Sequence, residues 1–153
     1  MSRGANIFLQ LTVLLTAFAL RTQAMGWLFM FAVVFTCGIG AAAIALPLIG
    51  AALVPLPDGR LHAPLVVLFL AADAFLLTFA LLLPDAGDSY SYAPLSVLNG
   101  HRELSPDTAS LFTDLGALAL AGYVVTALAA LVVAARRRLP GPPPVGPWPP
   151  TRA

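Results

Sequence analysis

The chain contains no lysine, so all eight of its basic residues are arginine. Without a lysine amine there is no Schiff-base chemistry and no phosphate-loop lysine, which excludes covalent-amine catalysis and a nucleotide-binding P-loop. Cysteine is almost as scarce. The single one, Cys37, lies inside an apolar run, which excludes an intrachain disulfide, a Cys-x-x-Cys redox pair and a thiolate metal cluster, and reads as a small buried hydrophobe. Histidine occurs only as His62 and His101. Charge is sparse throughout: 10% of the 153 residues are charged and 59% are hydrophobic, where a water-soluble domain has about a quarter charged and about half apolar. That balance is the composition of an integral membrane protein.

A helix needs about 20 residues to cross the hydrocarbon of a bilayer. Four apolar stretches qualify, at about 5–24, 26–53, 64–84 and 109–135. The expectation is therefore an all-α, polytopic membrane protein: a four-transmembrane-helix bundle over residues 1–138, followed by a Pro-rich disordered tail over 139–153. Residues 1–24 also admit a second reading, as a secretory signal peptide with Arg3 in its basic region, Ile7–Leu20 as its apolar stretch and cleavage after Ala24. Gln10, Thr12 and Thr16 suit such a stretch poorly, and the apolar run that follows at once suits a helical hairpin better.

With four spans and both termini in the cytoplasm, Arg3, Arg60, Arg136, Arg137, Arg138 and Arg152 lie inside and only Arg21 and Arg102 outside, a clear positive-inside bias. The same arrangement puts the 85–108 connection, with Asp85, Asp88, Glu103 and Asp107, on the external face and separates His62 from His101 by the bilayer, so that they cannot share a metal or a haem. The lysine-free, Ala/Arg/Pro-rich composition suggests a bacterial inner membrane. Breakers bound the segments. Pro55, Pro57, Asp58 and Gly59 end the second stretch, Pro47 is expected to bend it, and Ser105, Pro106 and Asp107 form a helix start by N-cap, first-turn proline and first-turn acid. The tail after Arg138 is too rich in proline for helix or a packed core.

Three ionisable residues fall within or beside the spans. Asp73 sits near the midpoint of the stretch between Pro64 and Pro84, where a charge costs several kcal/mol. It is expected to face protein as a neutral acid hydrogen-bonded across helices, with Thr12, Thr16, Thr36 or Thr126 as same-chain partners or a group on another subunit. Asp114 lies about two turns into the fourth stretch, and Arg21 ends the first. An Arg21–Asp114 pair would remove two lone charges from the interface; the alternative is that both side chains snorkel outward to water or headgroups. Small residues recur every fourth position, as Gly122, Thr126, Ala130 and Ala134 in the fourth stretch and as Gly38 and Ala42 in the second, the spacing that lets helix backbones approach in lipid.

In the 85–108 connection no spacing of Ser89, Ser91, His101 or Glu103 matches a catalytic arrangement, and His101, Glu103 and Asp107 lack the i, i+4 geometry of a metal site. No catalytic residue, metal or cofactor is expected. The residues favour a non-enzymatic accessory or scaffold protein that packs against other membrane subunits or a second copy of itself within the lipid bilayer, with no nucleic-acid partner. The alternatives are a proton- or ion-coupled transporter protomer in which Asp73 titrates, and a small membrane enzyme using the external loop.

Overall fold

The computed structural model describes residues 1–55, 60–86, 91–100 and 103–138; the Pro-rich tail lies outside them. Helix α1, Arg3–Arg21, starts where the Ser2 hydroxyl accepts the Ala5 amide at 3.2 Å and runs into a 3-10 turn at Thr22–Ala24. Its buried residues, Asn6, Gln10, Val13, Ala17 and Arg21, recur at spacings of three and four and so form one stripe. Phe8 and Leu15, on the other side, are 74% and 69% exposed. Polar residues inside and large apolar residues outside invert the pattern of a helix on a water-soluble protein.

The second apolar stretch is not one continuous helix. It opens as a short helix, α2, Trp27–Met30, widens into a π turn over Phe31–Phe35, stops, and restarts as α3, Ile39–Leu53. The stop is a Schellman cap: Gly38 N donates to Val33 O at 2.7 Å and Cys37 N to Val34 O at 3.1 Å. Cys37 and Gly38 both take positive φ, 49° and 82°, a conformation that glycine adopts freely and cysteine rarely. Thr36 spans the gap, its hydroxyl donating to Ala32 O at 2.7 Å and accepting from Gly40 N at 3.0 Å. Two expectations change here. Cys37 is exposed rather than buried, and Gly38 serves the break rather than a packing stripe, with Ala42 exposed beside it. Pro47 lies inside α3 without interrupting it.

Helix α4, Ala63–Leu82, buries Leu65, Phe69, Ala72, Asp73, Leu76, Phe79 and Ala80. A two-residue antiparallel pair, β1 at Asp85–Ala86 with β2 at Ser91–Tyr92, and a short helix α5, Pro94–Leu98, follow it. Helix α6, Pro106–Arg138, is 33 residues long, about 50 Å at 1.5 Å per residue. Its start has the capping chemistry that Ser105 promised: Thr108 N donates to Ser105 Oγ at 3.3 Å. Ala119, Tyr123, Ala127, Ala130 and Ala134 of α6 are buried, and α6 packs most extensively on α4 and then on α3.

The ends of the elements gather into two poles. At one, Arg3 donates to the Leu53 carbonyl, Ser2 bridges to Arg60, and Leu61 N donates to Met1 O at 3.0 Å; the Arg136 end of α6 lies on this side, since Leu131 meets Gly50 of α3. At the other pole are Arg21, the start of α2, Leu83 and Asp85. Three helices, over Arg3–Ala24, Ala63–Leu82 and Pro106–Arg137, are long and apolar enough to cross a membrane, and Ile39–Leu53 is a shorter apolar helix. The described residues are thus all-helical apart from the two-residue pair and the connections, with a surface and segment lengths that fit a multi-pass membrane protein.

The small-residue stripe of α6 is filled from within the chain. A Cβ on Gly122 would stand 2.8 Å from the Phe75 ring, and one on Gly116 would stand 2.9 Å from Leu83 Cβ and 3.0 Å from its Cα. Ala130 is buried, and Thr126 is half-buried with its hydroxyl on the Gly122 carbonyl at 2.7 Å. A ring can swing aside and a backbone cannot. Gly116→Ala is therefore expected to lower the thermal unfolding midpoint in detergent more than Gly122→Ala, at an overpacking cost of about 1–3 kcal/mol. Phe75→Leu should relieve the Gly122 variant and leave the Gly116 variant unrelieved.

Candidate functional site

Among the described residues, the interior holds an apolar cavity and polar contacts that join α1 to α4, α6 to α3, and the ends of α1 and α4. Lowest, toward the Arg3 pole, is a clasp of Asn6 and Gln10 on α1 with Asp73 on α4. The two α1 residues are one turn apart and share a face, which is why one amide reaches both neighbours. Gln10 Nε2 donates to Asp73 Oδ2 at 3.1 Å and to Asn6 Oδ1 at 3.3 Å. All three side chains are buried, at 1%, 1% and 6% exposure for Asn6, Gln10 and Asp73. Two acceptors of the clasp, Gln10 Oε1 and Asp73 Oδ1, are buried without a hydrogen-bond partner.

Asp73 thus faces protein near the midpoint of its helix, but the partner is an amide of α1 rather than a threonine. Thr12 and Thr16 are on the exposed face of α1. The hydroxyls of Thr12, Thr36 and Thr126 bond to carbonyls of their own helical turns, the local satisfaction that hydroxyl side chains find in helices.

Above the clasp, Leu14 and Ala17 of α1, Leu76 and Phe79 of α4, and Phe29 and Ile44 from the two halves of the broken segment line an apolar cavity of about 210 Å³. On its far side Tyr123 of α6 donates its hydroxyl to the Ile44 carbonyl. This bond falls in the turn of α3 that precedes Pro47, a turn already short of one backbone donor.

Arg21 closes the cavity at the second pole. Its Nη2 meets Asp85 Oδ2 at 2.9 Å, with side chains 8% and 1% exposed, and its Nη1 donates to the Leu83 carbonyl at the end of α4. The same Asp85 oxygen accepts Phe29 N, from the opening turn of α2, at 2.8 Å. A cation in the last turn of α1 and a carbonyl left open at the end of α4 are groups that helix termini leave to be satisfied. Arg21 takes up the Leu83 carbonyl, and the Asp85 carboxylate accepts from Arg21 and from Phe29 N.

The expected Arg21–Asp114 pair does not form. Asp114 is exposed, and because Gly116 packs on Leu83, Asp114 stands level with the end of α4 rather than inside the span. Residues 106–115 continue past that level by about 15 Å, which leaves their charges to water. Glu103 is exposed, and His101 lies outside the described residues. No group of three or more His, Cys, Asp or Glu that could hold a metal is present among the described residues.

Asn6, Gln10, Asp85 and Tyr123 are the site residues that the sequence reading did not assign. The i, i+4 spacing of Asn6 and Gln10 in an otherwise apolar helix was the available signal for the first two. Asp85 follows Pro84 at the edge of a loop, and nothing in its local sequence separates it from a solvated loop acid. No family model matches the chain, and comparison with curated proteins and with solved structures gives no match.

Removing one member of a buried ion pair strands the other in a dry environment and costs about 3–5 kcal/mol, whereas replacing both by apolar residues is close to neutral. Arg21→Gln and Asp85→Asn should each sharply lower the unfolding midpoint followed by circular dichroism. The double variant Arg21→Met with Asp85→Leu should recover at least half of that loss. Asp114→Asn, at an exposed position, should stay within about 0.5 kcal/mol of the parent.

Proposed function

We propose that this chain is a small non-enzymatic membrane protein that crosses the bilayer four times and serves as an accessory or scaffold subunit packed against larger membrane partners. In this reading the broken segment, Trp27 to Leu53, is the second crossing, since it runs from Phe29 at the Asp85 pole to Leu53 at the Arg3 pole. Arg3, Arg60, Arg136 and Arg137 at one pole, against the ion-paired Arg21 at the other, assign the first pole to the cytoplasm by the positive-inside bias. The tail after Arg138 then emerges there as well, and the membrane is the cell membrane.

One observation carries the accessory reading. The first half of the second crossing offers exposed Phe31, Val34 and Phe35, at 57%, 53% and 60%, and continues to Ile39 at 71%. Phe31 and Phe35 stack with ring centroids 5.0 Å apart. Large aromatic and branched side chains on a segment that makes few contacts with α1, α4 and α6 suit the van der Waals packing of a partner's helix, which is what drives association in lipid. The α6 stripe, by contrast, is occupied by the chain's own α4. Among the described residues, the polar side chains Gln10, Arg21 and Tyr123 each join two elements of the one chain. The transporter alternative keeps one specific support, the buried Asp73 with its unsatisfied oxygen.

In a mild detergent the protein should run as part of a complex larger than the monomer, and Phe31→Ala with Phe35→Ala should collapse that complex while circular dichroism keeps its helical content. Wild-type protein that runs alone as a monomer removes the accessory reading. Reporter fusions after residue 98 and after residue 138 should give external and cytoplasmic signals, respectively; a cytoplasmic signal at 98 overturns the four-crossing arrangement. Asp73→Asn should leave the complex intact, whereas a proton-coupled transporter would lose its activity.

A further inference from the structure

The clasp between α1 and α4 is one hydrogen short. Gln10 Nε2 serves Asp73 Oδ2 and Asn6 Oδ1, and the two atoms left over, Asp73 Oδ1 and Gln10 Oε1, are both acceptors, both buried and both without a partner. A buried acceptor left unsatisfied costs about 1–3 kcal/mol, and an ionised one more. The orphaned atoms belong to the two planar groups that the Nε2–Oδ2 bond already joins. A carboxyl and a carboxamide have the same planar three-atom head, and a single added hydrogen on the carboxyl completes two antiparallel hydrogen bonds between them.

We infer that Asp73 and Gln10 form a proton-binding site, in which a neutral Asp73 carboxyl donates from Oδ1–H to Gln10 Oε1 and accepts at Oδ2 from Gln10 Nε2. Turning the Gln10 amide over does not remove the need for the proton. With the Asn6 amide turned over as well, the Gln10 oxygen still faces Asp73 Oδ2, and acceptor stands against acceptor there unless the carboxyl carries hydrogen. A metal cation fits the same place poorly. Hard cations take six or more oxygens, and here the Nε2 hydrogens of Gln10 point into the approach to Oδ2.

The surroundings supply no competing charge. Helix α4 has no other ionisable residue and α3 has none. On α1, Arg3 is committed to the Leu53 carbonyl and Arg21 to Asp85 and Leu83. From α6, the Tyr123 hydroxyl is engaged with the Ile44 carbonyl. Docking α1 onto α4 therefore favours the protonated carboxyl, and losing that proton leaves Asp73 Oδ1 and Gln10 Oε1 buried without a partner. This holds whether or not the chain has protein partners.

Infrared spectra of the full chain in mild detergent at neutral pH, with aspartate labelled by ¹³C at its carboxyl carbon, test the site. The expected result is a protonated-carboxyl C=O band that moves with the label, persists in Asp114→Asn and is absent from Asp73→Asn. Asp73→Asn should keep its unfolding midpoint near that of the parent, because an amide Nδ2 supplies the missing donor to Gln10 Oε1, while Gln10→Leu should lower it. Wild-type spectra with aspartate only in the ionised form overturn the proposal, and they do so even if Asp73→Asn fails to fold. A midpoint that rises in sodium chloride over choline chloride in the parent but not in Asp73→Asn also overturns it, by assigning the site to a cation.

Discussion

The ion pair of Arg21 and Asp85 is the point where the chain is tied. α1 ends there, α4 ends there, and the broken segment begins there, through a guanidinium, the Leu83 carbonyl, and the Phe29 amide that joins the guanidinium on the Asp85 carboxylate just past α4. In water such an arrangement would compete with solvent at each contact. With the two side chains 8% and 1% exposed, solvent has little access to compete here. The remaining interior contacts, the Gln10 clasp and the Tyr123 hydroxyl, need α1, α3 and α4 already held at matching heights, and the pair sets those heights at one pole as Arg3 with Leu53 does at the other.

Bilayer solvent also explains where the polar residues of the chain are found. On α1 the side chains that a water-soluble helix would show outward, Asn6, Gln10 and Arg21, are the buried ones, and Phe8 and Leu15 take the outside. The apolar face needs no partner where lipid surrounds it. Cohesion between helices then rests on close backbone approach, at Gly116 and Gly122 against α4, and on a few polar contacts, each fully enclosed.

Much of this architecture can be read from residue order, because hydrophobic length and capping chemistry are local. The limits of α4 follow from Pro64 and Pro84, and the start of α6 from Ser105 and Pro106. The break at Cys37 and Gly38 is not legible in this way: a run of apolar residues with one cysteine and scattered glycines has no breaker stronger than Pro47, and Pro47 turns out to lie within a continuous helix. For the site, the burial of Asp73 was readable from its depth alone. Its partner was not, because Gln10 and Asp73 are far apart in sequence and meet only once α1 and α4 lie side by side in parallel. Asp114 misled by its position in an apolar stretch, since α6 overshoots the level at which α4 stops.

That overshoot has a mechanical side. Helix α4 is about as long as the hydrocarbon is thick, and α6 is locked to it by glycine contacts at two heights, so the two cannot tilt independently of each other. A bilayer thinner or thicker than α4 must be met by rotation of the pair as one body or by deformation of the surrounding lipid. The projecting turns of α6, carried outward on the α4 side, would then swing with any such rotation and convert a change in membrane thickness into a lateral displacement above the surface.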